Sequence, residues 1–337
     1  MASKASEIPV ALDYRECKKK LHITSRRGEV MDVCSTFNEK YICCNVHVLK
    51  TVSNCPFDCS YCFLQNYLTN TAMQVIGDTK AIMQEVLERT QKEPGRLFRV
   101  GTWELGDSLA LENMTKSASE LIIAFAKLPN AILELKTKSD VVEPLLSLEH
   151  NGKTVVSWSL NPESVIRREE HKTASLVKRL AAMAKVYRAG YLIGLHFDPM
   201  IYFEGFEKDY EDLVIRIFQV ITPERVAWIS IGSLRFNPEM KKTIENNFPK
   251  TMLTAAEMVL GDDHKMRYVK PLRVLMYRNL YKALVKAGAK DCNIYLCMER
   301  WDMWEKIFGF YPDSYEHLDY LMAKNLYERF PGIARSL

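Results

Sequence analysis

Residues 55–62 read Cys55-Pro56-Phe57-Asp58-Cys59-Ser60-Tyr61-Cys62, and the reading of the rest of the chain works outward from them. Three cysteines at spacings of four and three can wrap one face of an iron–sulfur cube and leave its fourth iron without a protein ligand. Zinc is the main structural alternative, but a closed tetrahedral zinc site wants a fourth Cys or His at a second paired spacing. None lies nearby in sequence. His47 is close, yet it falls inside a strand pattern, where a hydrogen-bonded core or surface histidine is the ordinary reading.

The motif follows directly on the first of several β-branched or aromatic runs: Ile42–Leu49, Leu97–Trp103, Ala131–Lys136, Thr154–Leu160, Tyr191–Phe197 and Val226–Leu234. Between them lie segments of helical period. Thr79–Arg89 sets Met83, Val86 and Leu87 on one face, and Ser175–Tyr187 does the same with Leu176, Leu180, Met183 and Val186 before the stop signal Gly190. A seventh run, Asn293–Met298, follows a helical stretch near Arg278–Ala287, and the chain after Trp301 has helical character. Alternating strand and helix predicts an α/β fold, an open or partial (β/α)6 TIM-like barrel over residues 41–300. Residues 1–40 then form an N-terminal extension and 301–337 a C-terminal helical one. Ligands of parallel α/β folds meet the carboxyl ends of strands, so residues just past each run are the first site candidates.

Composition narrows the class without naming it. Of 337 residues, 47% are apolar and 26% charged, enough for a sizeable core and against disorder. The formal charge of +4 comes from scattered Lys and Arg with short runs such as Lys18-Lys19-Lys20 and Arg26-Arg27, which suits solvated helix faces more than a nucleic-acid footprint. Nine cysteines, an odd number with three crowded into eight positions, read as metal ligands in a reducing compartment. The first thirty-odd residues lack a signal-peptide pattern, and no stretch is apolar for long enough to span a bilayer. The expectation is a cytoplasmic protein with no membrane partner.

Three such cysteines in a loop after the first strand of a βα array, with an aromatic before the last, resemble the radical S-adenosylmethionine (SAM) superfamily. The longer run Cys59-Ser60-Tyr61-Cys62-Phe63-Leu64-Gln65 is similar to its spore photoproduct lyase group, as are Asn151-Gly152-Lys153-Thr154, Ser159-Leu160-Asn161, Ala189-Gly190-Tyr191, Glu204 to Tyr210 and Asn247-Phe248-Pro249-Lys250-Thr251. The likeness extends from near residue 45 to near residue 255. It implies a partial barrel of the radical SAM type, a [4Fe-4S] cluster on Cys55, Cys59 and Cys62, and SAM chelating the open iron. An electron from a carrier such as flavodoxin or ferredoxin then cleaves SAM to a 5′-deoxyadenosyl radical that abstracts a substrate hydrogen. The resemblance also sets Lys138 and Ser159 at SAM-holding positions with Asn161 beside them. It puts the backbone of Gly101 at the SAM ammonium, with Glu104 next to it. From the residues alone, Lys138 could neutralise the SAM carboxylate, while Glu104 and Asp107 read either as ligand contacts or as caps. Asp198 could hold the SAM ribose or a substrate, or be a turn residue before Pro199, and His196 could move a proton or simply belong to a strand.

Two positions depart from the group. Its hydrogen-atom donor is a cysteine on the loop that here reads Glu104-Leu105-Gly106-Asp107, at the place of Glu104, and a carboxylate cannot replace a thiol in that role. The tyrosine after its third cluster cysteine is Phe63 here, although Tyr61 remains. These departures argue against splitting of thymine-dimer lesions. Cys297, near the carboxyl end of the seventh run, is a candidate replacement donor, with a buried inert thiol as the competing reading. Cys34, Cys43 and Cys44 stand far from Cys292 and Cys297 in sequence, so one cluster is expected. The substrate expectation is a nucleotide or nucleic-acid derivative. Small-metabolite or natural-product modification is a second reading, and a non-catalytic metal protein that binds nucleic acid or a partner is a third.

Overall fold

The computed structural model describes residues 14–25, 28–34, 40–68 and 72–333, so part of the expected N-terminal extension lies outside the described residues. The main sheet has eight strands: β1 (Met31–Val33), β2 (His47–Leu49), β3 (Phe98–Gly101), β4 (Ala131–Thr137), β5 (Thr154–Ser159), β6 (Leu192–Met200), β7 (Val226–Ser233) and β8 (Asn293–Leu296). They lie in simple chain order across the sheet. Strands β2 to β8 are all parallel, and β1 adds an antiparallel edge.

All seven expected strands form, each within a few residues of its sequence pattern. Every residue of β5 and β7 is buried, because helices cover one face and the barrel interior the other. The first strand is the exception, shrinking from eight expected residues to three. The segment before it turns across the sheet's open side instead, where Ile42 N–H donates to the Glu299 carbonyl at 2.8 Å. That single antiparallel bridge ties the two edges together. Tyr41 secures the crossing, with its carbonyl accepting from Tyr315 Oη at 2.6 Å and its ring 4.5 Å from the Arg267 guanidinium.

The outer helices are α1 (Thr79–Lys92), α2 (Ser117–Phe125), α3 (Leu176–Arg188), α4 (Phe206–Phe218), α5 (Lys270–Lys286), α6 (Trp301–Phe308) and α7 (Tyr315–Arg329). Asp78, Ser175 and Ser314 cap α1, α3 and α7 through their side chains, which supplies partners for otherwise orphaned N–H groups. Helix α5 begins eight residues before the expected stretch, since Pro271 sits in its first turn, where a missing N–H costs nothing. Helix α7 packs beneath the amino ends of the strands. Its Asp319 pairs with the buried Arg99 of β3 at 3.2 Å, Asn293 of β8 donates to the Met322 carbonyl at 3.2 Å, and Arg329 donates to the Val226 carbonyl at 2.8 Å. With that end closed, the carboxyl end is left for ligands. Among the described residues no helix is long and apolar enough to cross a membrane.

Candidate active site

A cavity of about 870 Å³ opens at the carboxyl ends of the strands, within the roughly 300–1,000 Å³ typical of small-molecule sites. Its wall is contributed strand by strand: Trp103 and Glu104 after β3, Lys136 to Lys138 at the end of β4, Ser159 of β5, His196 and Asp198 of β6, Arg235 after β7, and Cys297 after β8. Cys55, Cys59, Tyr61 and Cys62 complete it from above. Nine of the eleven sequence-derived site residues therefore share one cavity. Gly101 and Asn161 stand behind its wall.

Several ties hold the cysteine loop. Asp58–Cys59 pairs antiparallel with Glu170–His171, the short strand beyond β5. Ser60 Oγ donates to the Glu169 carboxylate at 2.5 Å, and Thr251 donates to the same oxygen at 2.7 Å. Gln65 Nε2 donates to the Ser60 and Cys62 carbonyls at 2.8 and 3.2 Å, while Asn247 fixes the other end of that amide. Lys18 Nζ reaches the Cys55 carbonyl at 3.0 Å. A buried loop needs such partners for its backbone, and here they also fix where the thiols point.

The thiols fit a metal cluster on chemical grounds. Burial pushes Cys55 up to about 12 and Cys59 well above the ordinary thiol range, so neither ionises without a strong positive charge beside it. Lys138 supplies part of that charge at Cys59, and bound iron would supply the rest. Among the described residues no three Cys, His, Asp or Glu close round a single point. A closed tetrahedral zinc site would need such a group, whereas an iron–sulfur cluster takes one thiolate per iron, and Cys55, Cys59 and Cys62 line one cavity.

Lys138 is partly buried against that loop, its ammonium 5.6 Å from the Tyr61 ring centroid. Burial alone would lower its pKa, but Cys59 and Glu170 raise it, and it stays an ammonium. Glu170 is fully buried, which disfavours its charge, yet Arg179 and Lys138 hold it at about 2. It accepts from Tyr61 Oη at 2.5 Å, Asn161 Nδ2 at 2.9 Å and Arg179 at 2.6 Å. Asn161 also accepts from Tyr210 Oη at 2.7 Å. Its amide thus positions Glu170, and through it Tyr61, from behind the wall. Gly101 likewise makes room for a neighbour, since an added Cβ would meet Trp103 Nε1 at 2.3 Å. Asp107 is a cap: one oxygen accepts from Leu109 and Ala110 N–H at 3.0 and 2.9 Å, the other from Lys138 N–H at 2.7 Å. Glu104 keeps its place on the cavity wall.

Deeper in the barrel lies a polar layer centred on Glu134 of β4. Its carboxylate accepts from Ser157 at 2.6 Å, Trp228 at 2.9 Å, Trp103 at 3.1 Å and His196 Nε2 at 2.6 Å. Burial works against the charge, and His196 with these donors holds Glu134 at about 2. Burial and Lys136 press His196 below its ordinary value, so it donates as a neutral imidazole. On β6, Gly194 leaves space for this layer, because a Cβ there would meet Ser157 Oγ at 2.1 Å. The sequence reading missed Glu134, although a carboxylate inside the run Ala131-Ile132-Leu133-Glu134-Leu135 is a visible signal. Trp228 belongs to this layer as well.

On the far side, Asp198 forms a two-pronged pair with Arg235 at 2.9 and 3.1 Å, and despite burial this guanidinium holds it well below the carboxylate range. Its charge is satisfied by protein. Arg235 also donates to Cys297 Sγ at 3.3 Å, and burial and Asp198 push that thiol up. Cys34, Cys43 and Cys44, remote in sequence from Cys297, converge here, and all three line the cavity. The crossing segment that closes the sheet carries two of them inward, which local sequence patterns cannot show.

A partial parallel barrel with three cysteines, a part-buried lysine and strand-end polar groups around one cavity defines a radical SAM enzyme. Residues 10–282 match the family model described as spore photoproduct lyase, and the chain belongs to that family. Its cofactors are a [4Fe-4S] cluster and SAM. The spore photoproduct lyase of Bacillus subtilis (strain 168) is 28% identical over 261 residues, covering 76% of this chain and 72% of that protein. The spore photoproduct lyase of Geobacillus sp. (strain Y412MC61) is 26% identical over 247 residues, covering 72% and 70%. A solved mutant spore photoproduct lyase with bound AdoMet and dinucleoside spore photoproduct superposes with a TM-score of 0.76 at 24% identity, covering 87% of each chain. At that identity the superposition speaks for the fold.

Proposed function

We propose that the chain abstracts a hydrogen atom from a nucleotide or nucleic-acid-derived substrate, with Cys55, Cys59 and Cys62 holding the cluster. The observation that carries this reading is the meeting of those thiols with Lys138 and Ser159 at one strand-end cavity. When bound, the cluster and SAM supply a 5′-deoxyadenosyl radical, and the protein binds, orients and excludes water. Lys138 would pair with the SAM carboxylate, and Ser159 and Glu104 would offer polar contacts beside it. Asn161 and Gly101 act from behind by fixing Tyr61 and Trp103. Asp198 positions Arg235, and Cys297 returns a hydrogen atom to the substrate.

The relatives' name favours a nucleic-acid lesion, and the titles of their solved structures make dinucleoside spore photoproduct the first compound to try. Phe63 and Tyr67 support a base-bearing substrate, since both are exposed at the cavity and each offers an aromatic ring to a base, the two rings lying edge to face with centroids 5.9 Å apart and planes at 62°. The nine cysteines stand outside any disulfide, which suits the reducing cytoplasm, and the electron comes from a flavodoxin- or ferredoxin-like carrier.

Anaerobic reconstitution with SAM, dithionite and dinucleoside spore photoproduct tests the reading by 5′-deoxyadenosine formation. Lys138→Met is expected to weaken SAM binding about tenfold, the scale of one charge-assisted bond, while iron stays at about four per chain. If the wild-type protein neither binds SAM nor forms 5′-deoxyadenosine, the reading fails.

A further inference from the structure

Arg235 lines the cavity, yet its donors all end on the protein. Nη1 donates to Asp198 Oδ1 at 2.9 Å and to the Ser233 carbonyl at 3.2 Å, and Nη2 donates to Asp198 Oδ2 at 3.1 Å and to Cys297 Sγ at 3.3 Å. Nε donates to Met298 Sδ at 3.1 Å, so each of the five N–H groups of the guanidinium has a partner. None remains for a phosphate or carboxylate of the substrate. Two of them end on sulfur, from consecutive residues just past β8. Met298 is held there at a φ of 54°, the left-handed region that a non-glycine residue seldom takes, and the Cys297 N–H donates to the Ile231 carbonyl at 2.8 Å. The chain is thus fixed on both sides of the Cys297 thiol.

We propose that Arg235 is a positioning residue: clamped by Asp198, its guanidinium fixes the Cys297 sulfur so that the S–H faces the cavity. The proposal rests on the reading of Cys297 as the hydrogen-atom donor under the proposed function. The Nη2–H takes one lone-pair side of the sulfur, and its positive charge turns the thiol hydrogen away from itself, toward the open side where a substrate would lie. A lysine could not do this, since a point charge lacks the planar fork that spans a carboxylate and two sulfurs at once.

Asp198 has a second task in this bracket. A cation alone beside a thiol favours the thiolate, which has no hydrogen atom to give. With the two-pronged carboxylate answering its charge, the guanidinium holds the sulfur without ionising it, and burial together with Asp198 keeps the thiol protonated. The other titratable and charged groups that line the cavity around Cys297 are Lys136, Lys265, Tyr295, Cys34, Cys43 and Cys44, while Tyr277 and Glu299 bond one another at 2.8 Å behind it. Arg235 is the one of these that donates to the sulfur.

The test uses the cluster-loaded full chain without substrate, pulse-labelled with iodoacetamide over a range of pH and read at the Cys297 peptide by mass spectrometry. In the wild type the labelling midpoint is expected above the ~8.5 of a free cysteine. Asp198→Asn should lower it by about 1–3 units, the effect of an unanswered neighbouring cation, and Arg235→Gln should raise it. Shifts of opposite sign do not come from a loss of folding, and labelling of Cys292, buried at the amino end of β8, reports folding directly. Where one variant does not fold, the wild type and the other variant decide. A wild-type midpoint at or below ~8.5, or variants that shift together or not at all, would overturn the bracket. A second arm adds SAM, dithionite and dinucleoside spore photoproduct in heavy water. Wild-type product should carry solvent deuterium, Cys297→Ala product none, and Arg235→Gln product a reduced share, because its thiol is present but misaimed. Equal deuterium in Arg235→Gln and wild type overturns the bracket, and deuterium retained in Cys297→Ala removes Cys297 as donor and the bracket with it. Where 5′-deoxyadenosine forms but this probe is not converted, the substrate reading fails on its own, and the labelling midpoints decide the bracket.

Discussion

At the scale of single residues, the most consequential side chain is one the motif does not contain. Glu134 sits under the cavity with donors from four other residues, and its charge persists at burial only because each of its contacts is a donor. Its folded pKa, about 2, lies below the ordinary 4.5, so the carboxylate stabilises the fold fully above pH 4.5 and loses that contribution as pH falls toward 2. His196 works in the same direction: burial holds it below its ordinary 6.5, and the unfolded chain takes up its proton first. The Glu134 contribution is on the order of 3 kcal/mol. Glu134→Gln should therefore be less stable than wild type at pH 7 and show a flatter acid limb below pH 4.5. Denaturant unfolding at a series of pH values measures both. An unchanged acid limb would mean that this carboxylate is not ionised in the folded protein.

At the scale of elements, the cysteine loop takes its geometry from segments more than a hundred residues away. Glu169 accepts from Ser60 and from Thr251, so one buried carboxylate pins the loop both to the strand beyond β5 and to the segment after the helix Met240–Asn247. Ser60→Ala removes one donor from that carboxylate, a loss of about 1–3 kcal/mol. The expected outcome is a loop that holds iron less well, read as faster iron transfer to a chelator under anaerobic conditions, with SAM affinity of the loaded protein unchanged. Equal chelation rates in variant and wild type would show that the β-pairing of Asp58–Cys59 alone fixes the loop. This division of labour explains what was legible in advance. The spacing of Cys55, Cys59 and Cys62 and the apolar runs of β3 to β8 are local patterns, so they could be read directly. Lys138 and Ser159 came from the family resemblance, with their strand-end positions in support, and Asp198 from its place at the end of the fifth run, but nothing local says that Arg235 occupies Asp198. Asn161 and Gly101 have the polarity and small size of site residues, yet their neighbours Tyr210, Glu170 and Trp103 turn them into supports. Cys43 and Cys44 reach the cavity on a crossing segment bridged from Ile42 to Glu299, which no periodicity announces.

At the scale of the whole molecule, charge and shape together limit how a nucleic acid can be held. The net charge is only +4, and many surface bases are already answered by acids, as in Lys208 with Asp212, Lys286 with Glu211 and Lys185 with Glu143. Helix α7 closes the amino end of the barrel, so a substrate of the proposed kind would enter where Lys136 and Lys265 line the cavity. Burial and Arg235 press Lys265 below its ordinary value, and a phosphate arriving there would push it back up. Two such contacts release few counterions. For a short single-stranded oligonucleotide each phosphate contact contributes a slope of about −0.7 in log affinity against log salt, so the expected slope is roughly −1.4. Lys265→Ala should reduce it by about half. Fluorescence anisotropy with a thymine oligonucleotide across a range of salt measures the slope directly. A value near −4 or steeper would place the binding footprint on an extended basic surface and remove the cavity as the place where the strand is read.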